Sequence, residues 1–203
     1  AVAAAQRLRQ GIAMANRSIF DQSTASEACR GMGTTISALY LIGDTLITAN
    51  VGDSPIYLLR NGTMRDLYTP HTLLHEGNPK TLSRYPSSSL AHVLTRAVGV
   101  RRTVRMDFTQ THCSSGDIVV ICSDGLSGKV SKTEISDIVQ KKSPAAACQT
   151  LIDLANRRGG EDNITVIVAK LAAHDDSAIT KFFHRMAAVP AGVASYFTGR
   201  KPT

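Results

Sequence analysis

The chain has 203 residues, 43% of them hydrophobic and 19% charged, with no tryptophan and a formal net charge of +7. That length suits one domain with a sizeable core, built mainly from Val, Ile, Leu and Ala because aromatics are few. No apolar run reaches the ~18 residues a membrane-spanning helix needs, no signal-peptide pattern opens the chain, and the dispersed basic residues lack an aromatic platform, so nucleic acid is not an expected partner.

In chain order, Val2, Ala5, Leu8, Ile12, Ala15 and Ile19 recur every three or four residues and predict an amphipathic helix with Arg7, Arg9 and Arg17 on its wet side. Gly31-Met32-Gly33 then leads into strands. Residues 34–42 and 45–51 are β-branched and apolar, joined by the hairpin signal Gly43-Asp44. Residues 55–60 and 63–68 follow, joined by Asn61-Gly62. Four successive strands with tight turns predict an antiparallel meander. Periodicity dissolves over 69–90, a length of irregular chain that is usually functional or mobile. A short helix is expected over 89–98, a basic strand over 101–108 and, after Ser115-Gly116, a strand over 117–123.

Ser131 with Glu134 three residues on forms a capping-box signature. Ser143-Pro144 opens a second helix, which Gly159-Gly160 ends. The last strand is expected over 163–171. Cys29, Cys113, Cys122 and Cys148 are far apart and form no C-x-x-C pair; the apolar settings of Cys122 and Cys148 suit reduced core thiols and a cytoplasmic location. From residue 172 the character changes. The basic, apolar stretch 181–186 and the apolar stretch 193–197 suit a docking helix, a segment on a membrane surface or a linker to a further segment, with a poorly structured end as the default expectation. Runs of strands, rather than strict β–α alternation, point to an α+β domain with helices outside an antiparallel core.

Three acids stand out because each is expected where a strand meets a turn: Asp53, Asp124 and Asp162. Hard divalent cations take carboxylate oxygens and keep several waters where the protein supplies few ligands. Gly52 and Gly125, beside two of the acids, allow close approach of backbone and solvent. Asn163 could orient Asp162 from outside the ligand set. A single Asp in a turn more commonly serves turn hydrogen bonds, which is the reading given to Asp44, Asp66, Asp117 and Asp137.

The segments Gly31-Met32-Gly33-Thr34-Thr35, Ala49-Asn50-Val51-Gly52-Asp53-Ser54, Leu94-Thr95-Arg96-Ala97-Val98-Gly99, Ile121-Cys122-Ser123-Asp124-Gly125-Leu126 and Gly160-Glu161-Asp162-Asn163-Ile164-Thr165-Val166 occur in a distinctive order and spacing. Through them the chain, over about residues 13–171, resembles the bacterial metal-dependent serine/threonine protein phosphatases of type 2C. The resemblance implies two antiparallel sheets packed as a sandwich and flanked by helices (αββα), with a pair of Mn²⁺ or Mg²⁺ ions at one edge. It implies that Asp124 and Asp162 are metal ligands, that Asp53 serves a third, weaker metal, and that residues 69–90 form a flap near the site. The implied reaction is hydrolysis of phosphoserine and phosphothreonine in proteins by a metal-activated water, opposing a serine/threonine kinase in the cytoplasm.

Two departures bear on that expectation. The family's opening strands, its phosphate-binding Arg and its Asp-Gly-x-Gly-Gly loop have no counterpart, so residues 1–171 read as an N-terminally incomplete catalytic domain, missing its first strands, followed by a tail over 172–203. The motif usually read Gly-Asp-Ser-Arg ends here in Pro55, which cannot make the ionic or hydrogen-bond contacts open to an arginine, and Arg60 is no obvious substitute. Either the segment belongs to a longer polypeptide, or the chain is a degenerate phosphatase-like module that binds without turnover. His71 or His75 could serve as general acid, or stand idle in an exposed loop. Arg96 or Arg101-Arg102 could meet a substrate phosphate, or only solvent. Ser123 lacks a nucleophile elbow.

Overall fold

A computed structural model describes residues 2–172, so the two apolar stretches of the tail lie outside the described residues. The long amphipathic pattern forms α1 (Val2–Ala25). The strands divide into two sheets. One holds β1 (Ile36–Ile42), β2 (Thr45–Val51) and β5 (Asp107–His112) in the order β1-β2-β5. The other holds β3 (Ile56–Arg60), β4 (Thr63–Asp66), β6 (Ile118–Cys122) and β7 (Val166–Lys170) in the order β4-β3-β6-β7. Every neighbouring pair is antiparallel.

Alternation along the strands explains the layers. Leu46 of β2, Ile56 and Leu58 of β3 and Val119 of β6 meet in one buried cluster between the sheets. The opposite face of β2 presents Ala49 and Val51 to Ile12 of α1. The opposite face of the second sheet presents Tyr57, Leu59, Ile118, Val120 and Cys122 to Leu126, Ile135, Val139, Ala147 and Leu151. Those partners come from α5 (Asp124–Ser127), α6 (Lys132–Lys141) and α7 (Pro144–Arg157). The result is the expected αββα sandwich. Leu126, Ile135 and Leu151 are fully buried, each worth about 1.5–3 kcal/mol of apolar transfer.

Local signals set the element ends. Ser131 and Glu134 form the capping box of α6, and the Ser143 hydroxyl accepts from Ala146 N–H above Pro144 at the start of α7. Asn61 and Gly62 take φ of 49° and 76° in the β3–β4 hairpin, as a primed turn requires.

The expected four-strand meander is not what forms. β2 has β1 on one edge and β5 on the other, so no edge is left for β3, and the chain crosses at Gly52-Asp53-Ser54-Pro55 into the second sheet. The expected strand over 101–108 is displaced to Asp107–His112. Its first part is held elsewhere: Asn16 of α1 donates to the carbonyls of Arg101 (3.0 Å) and Arg102 (3.1 Å) and accepts from Gly99 N–H (2.8 Å).

The helix expected over 89–98 shrinks to α4 (Ser87–Leu90). Beyond it the backbone pairs instead, with Leu73 N–H on the Val93 carbonyl, Thr95 N–H on the His71 carbonyl and Val98 N–H on the Thr34 carbonyl. The irregular insert also carries the single turns α2 (Leu73–Glu76) and α3 (Pro79–Leu82). No described helix is long and apolar enough to cross a membrane.

Candidate metal centre

The buried run of β6 leaves its sheet at Ser123, whose N–H donates to the Thr165 carbonyl at 3.0 Å. The Ser123 hydroxyl accepts from Thr165 N–H and donates to the Asn163 carbonyl, each at 3.0 Å. One side chain thus closes the strand ending at Asp124 onto the strand entered from Asp162. This two-sided engagement gives Ser123 a structural use, in keeping with the absent nucleophile elbow.

Asp124 starts α5, and its Oδ1 accepts from Gly125 N–H at 2.9 Å. Gly125 is buried against the facing corner: a Cβ there would stand 2.5 Å from the Asn163 carbonyl oxygen and 3.4 Å from the Asp162 carbonyl carbon. Only glycine allows the two acid-bearing backbones to touch. Asp162 accepts from Asn163 N–H at 2.6 Å, so Asn163 steadies that carboxylate through its backbone. Asp124 and Asp162 both face solvent.

Asp53 lies in the crossover between the sheets. Its carboxyl is held above the ordinary carboxylate value, first by burial and second by the negative charge of Asp124, while its own backbone N–H and His92 act the other way. Asp53 and Asp124 are therefore electrostatic neighbours, although 71 residues separate them. Gly52 has φ +105°, and a Cβ there would lie 2.4 Å from Thr35 Cγ2, which makes glycine obligatory at this crossing.

Among the described residues, no Lys or Arg forms an ion pair with Asp53, Asp124 or Asp162. Nor do three His, Cys, Asp or Glu side chains among them converge closely enough to hold a metal. The donor chemistry nevertheless fits a hard cation. Mg²⁺-like ions are commonly held by one or two carboxylates and keep several waters, and an acid raised by a like charge is relieved by a cation.

Other candidates have different uses. His71 is fully buried rather than exposed in a loop. Its Nδ1 accepts from Gly52 N–H at 3.1 Å and its Nε2 lies 3.2 Å from Asp107 Oδ2, so neither nitrogen is open to a leaving group. His75 is exposed and bonds Thr72 Oγ1 at 3.0 Å. Arg96 is largely withdrawn from solvent and pairs with Glu76 and with Asp107. Arg60 clasps Asp117 at 2.9 and 2.5 Å, away from the acid corners.

Asp117 also accepts from Ser114 N–H, as a turn acid should, and Asp44 accepts from Thr45. Asp66 pairs with Lys132, while Asp137 lies inside α6, not in a turn. Burial and the Asp124 charge push the Cys122 thiol up to about 12, which suits an inert core thiol. His92, exposed and felt by Asp53, has no sequence pattern to reveal it; neither does the buried partnership of His71, Asp107 and Arg96.

The family model for protein phosphatase 2C matches residues 3–77. The serine/threonine phosphatase stp of Listeria welshimeri is 36% identical over 168 residues; the match covers 80% of this chain and 66% of that protein, a little under two thirds of its length. The solved serine/threonine phosphatase of S. agalactiae superposes with a TM-score of 0.71 at 33% identity, covering 82% of this chain and 72% of that one. The solved catalytic domain of the serine/threonine phosphatase PstP, in complex with two manganese ions, gives a TM-score of 0.69 at 34% identity, covering 78% and 67%. The chain belongs to the protein phosphatase 2C family.

Proposed function

We propose that residues 1–171 carry most of the catalytic domain of a phosphatase that removes phosphate from phosphoserine and phosphothreonine in proteins, with 172–203 as a separate tail. The observation that carries this reading is the acid corner: Asp124 and Asp162 on backbones in contact through Gly125, with the half-buried Asp53 near enough to feel Asp124. Acids held together without a basic partner suit a site for cations.

In this reading Asp124 and Asp162 hold Mn²⁺ or Mg²⁺, and Asp53 contributes to a third, weaker site. When bound, such ions lower the pKa of a water and offset charge on the transferring phosphoryl group. The chain's own residues fix where those ions stand. Ser123 locks the two corners together, Asn163 N–H sets the Asp162 carboxylate, and Gly52 holds the turn that carries Asp53. The manganese in the related PstP domain supports the choice of metal. The names of the relatives support serine and threonine as the phosphorylated residues and a phosphoprotein as substrate; an opposing serine/threonine kinase and a cytoplasmic setting complete the reading.

The test is phosphate release from a phosphothreonine peptide by the full-length protein with Mn²⁺. Asp162→Ala is expected to lower the rate by at least ~100-fold, the upper end of what losing even an outer partner of a metal ligand costs. Release unaffected by this change would overturn the reading. Peptide binding without release in the parent protein would point to the non-catalytic module instead.

A further inference from the structure

The insert between β4 and β5 is tied to the Asp53 turn by a closed ring of polar contacts. His71 N–H donates to the Gly52 carbonyl at 3.0 Å, and Gly52 N–H donates back to His71 Nδ1 at 3.1 Å. Because Nδ1 is an acceptor here, the ring proton is on Nε2, which donates to Asp107 Oδ2 at 3.2 Å. Arg96 Nη1 donates to Asp107 Oδ1 at 2.7 Å; it also lies 3.1 Å from His71 Nε2, but two donors make that a proximity, not a bond.

Arg96 Nη2 then reaches Glu76 Oε1. Thr95 Oγ1 donates to Glu76 Oε2 at 2.5 Å, and Thr95 N–H returns to the His71 carbonyl at 2.9 Å. His71 ahead of α2, Glu76 at its end, Thr95 and Arg96 in the loop before β5, and Asp107 of β5 thus close a circuit that reaches the acid corner through the paired bond to Gly52. Asn50 Nδ2 adds a second hold on the same Gly52 carbonyl, at 3.2 Å.

A circuit with His71 completely buried and Arg96 only 13% exposed is stiff, since satisfied polar networks in a low dielectric fix their members. Gly52 is one peptide bond from Asp53. We propose that His71, clamped by Asp107, Arg96 and Glu76, is a positioning residue that sets the Asp53 carboxylate and couples it to the insert, rather than an acid that meets the substrate. This rests on the reading of Asp53 as a ligand of a weak cation site.

The experiment measures Mn²⁺ binding to the full-length protein by calorimetry and by the paramagnetic resonance of free Mn²⁺, with Tm recorded for each variant. Asp53→Ala is the reference and is expected to abolish the weakest site. His71→Gln, whose amide reaches toward the Nε2 position and leaves Gly52 N–H without its acceptor, is expected to weaken that site about tenfold. His71→Asn, whose amide oxygen falls where Nδ1 stands, is expected to restore most of the affinity at a similar Tm.

Glu76→Gln, at the outer end of the circuit, is expected to give a smaller loss, about threefold, and it decides the matter if the His71 variants do not fold. Equal affinities for His71→Gln, His71→Asn and parent, or no change in Glu76→Gln when the His71 variants fail to fold, would overturn the positioning role. An Asp53→Ala protein that binds Mn²⁺ like the parent would instead overturn the ligand reading of Asp53, and the proposal with it.

Discussion

Asp117 and Asp53 both stand where a strand meets a turn, yet their surroundings are opposite. Asp117 is almost wholly buried, clasped by Arg60 and by Ser114 N–H, and the Arg60 hydrogen bonds hold its carboxyl below the ordinary value. Asp53 is half-buried with no basic ion-pair partner, and burial plus the nearby Asp124 charge hold its carboxyl above that value. One acid has its counter-charge inside the chain; the other has no Lys or Arg ion-pair partner among the described residues. The difference separates a structural carboxylate from a candidate ligand more sharply than sequence context does, because both acids lie beside a glycine and a buried strand.

The largest effect expected from breaking this contrast is on turnover. Asp124→Asn keeps an oxygen for Gly125 N–H but loses the charge. It should reduce Mn²⁺-dependent phosphate release by at least ~100-fold with Tm nearly unchanged, measured by peptide dephosphorylation and thermal unfolding.

Leu126→Ala attacks the anchor of the same corner. Leu126 is fully buried two residues after Asp124, so the change should cost about 2–5 kcal/mol in denaturant unfolding. A cost under ~1 kcal/mol would mean that the corner does not lean on its core.

Asp117→Asn should do the reverse of Asp124→Asn, lowering Tm by several degrees while leaving turnover per folded molecule alone, because Arg60 loses a buried partner. The pH dependence sharpens this. Asp117 has its folded pKa below the unfolded value near 3.9, so its stabilisation is present above about pH 4 and fades as pH falls through the folded value. The parent protein should therefore lose Tm toward low pH more steeply than Asp117→Asn.

The smallest effect, with the opposite sign, belongs to Asp53. Its folded pKa is raised, so its ionised form costs stability as pH rises from about 4 through the folded value. Asp53→Asn should raise Tm at pH 7 without added metal by about 1–2 °C. A fall in Tm would show that the turn needs the carboxylate for itself.

The parts of the fold legible in the sequence are those set by neighbours along the chain. The Ser131–Glu134 box, the Ser143-Pro144 start, the Asn61-Gly62 hairpin and the α1 stripe need only adjacent residues. The crossover at Gly52 looked like another hairpin because a tight turn has the same local chemistry whether it returns to its own sheet or hands the chain to another. Only Thr35 packed against Gly52, and β5 occupying the far edge of β2, distinguish the cases. β5 lies further along than the sequence suggests because Asp107-Phe108-Thr109-Gln110-Thr111-His112 is a polar edge strand with no Val, Ile or Leu to mark it.

At the candidate site, the acids were legible as strand-end carboxylates followed or preceded by apolar runs. The histidines were not. His71 is held in the interior by Gly52, Thr95 and Asp107, which lie 19, 24 and 36 positions away, and no spacing rule links those positions. His92 is brought toward Asp53 by the fold of the insert alone.

Gly125 carries a last consequence. Because the backbones around Asp124 and Asp162 meet across a missing methyl group, the separation of the two main chains that carry these acids is set by packing stiffer than any rotamer. If Asp124 and Asp162 hold an ion as proposed, the radius of ion they can grip is constrained by a residue that offers no side-chain ligand. In that reading, a bulkier residue at Gly125 would widen the corner without touching either acid.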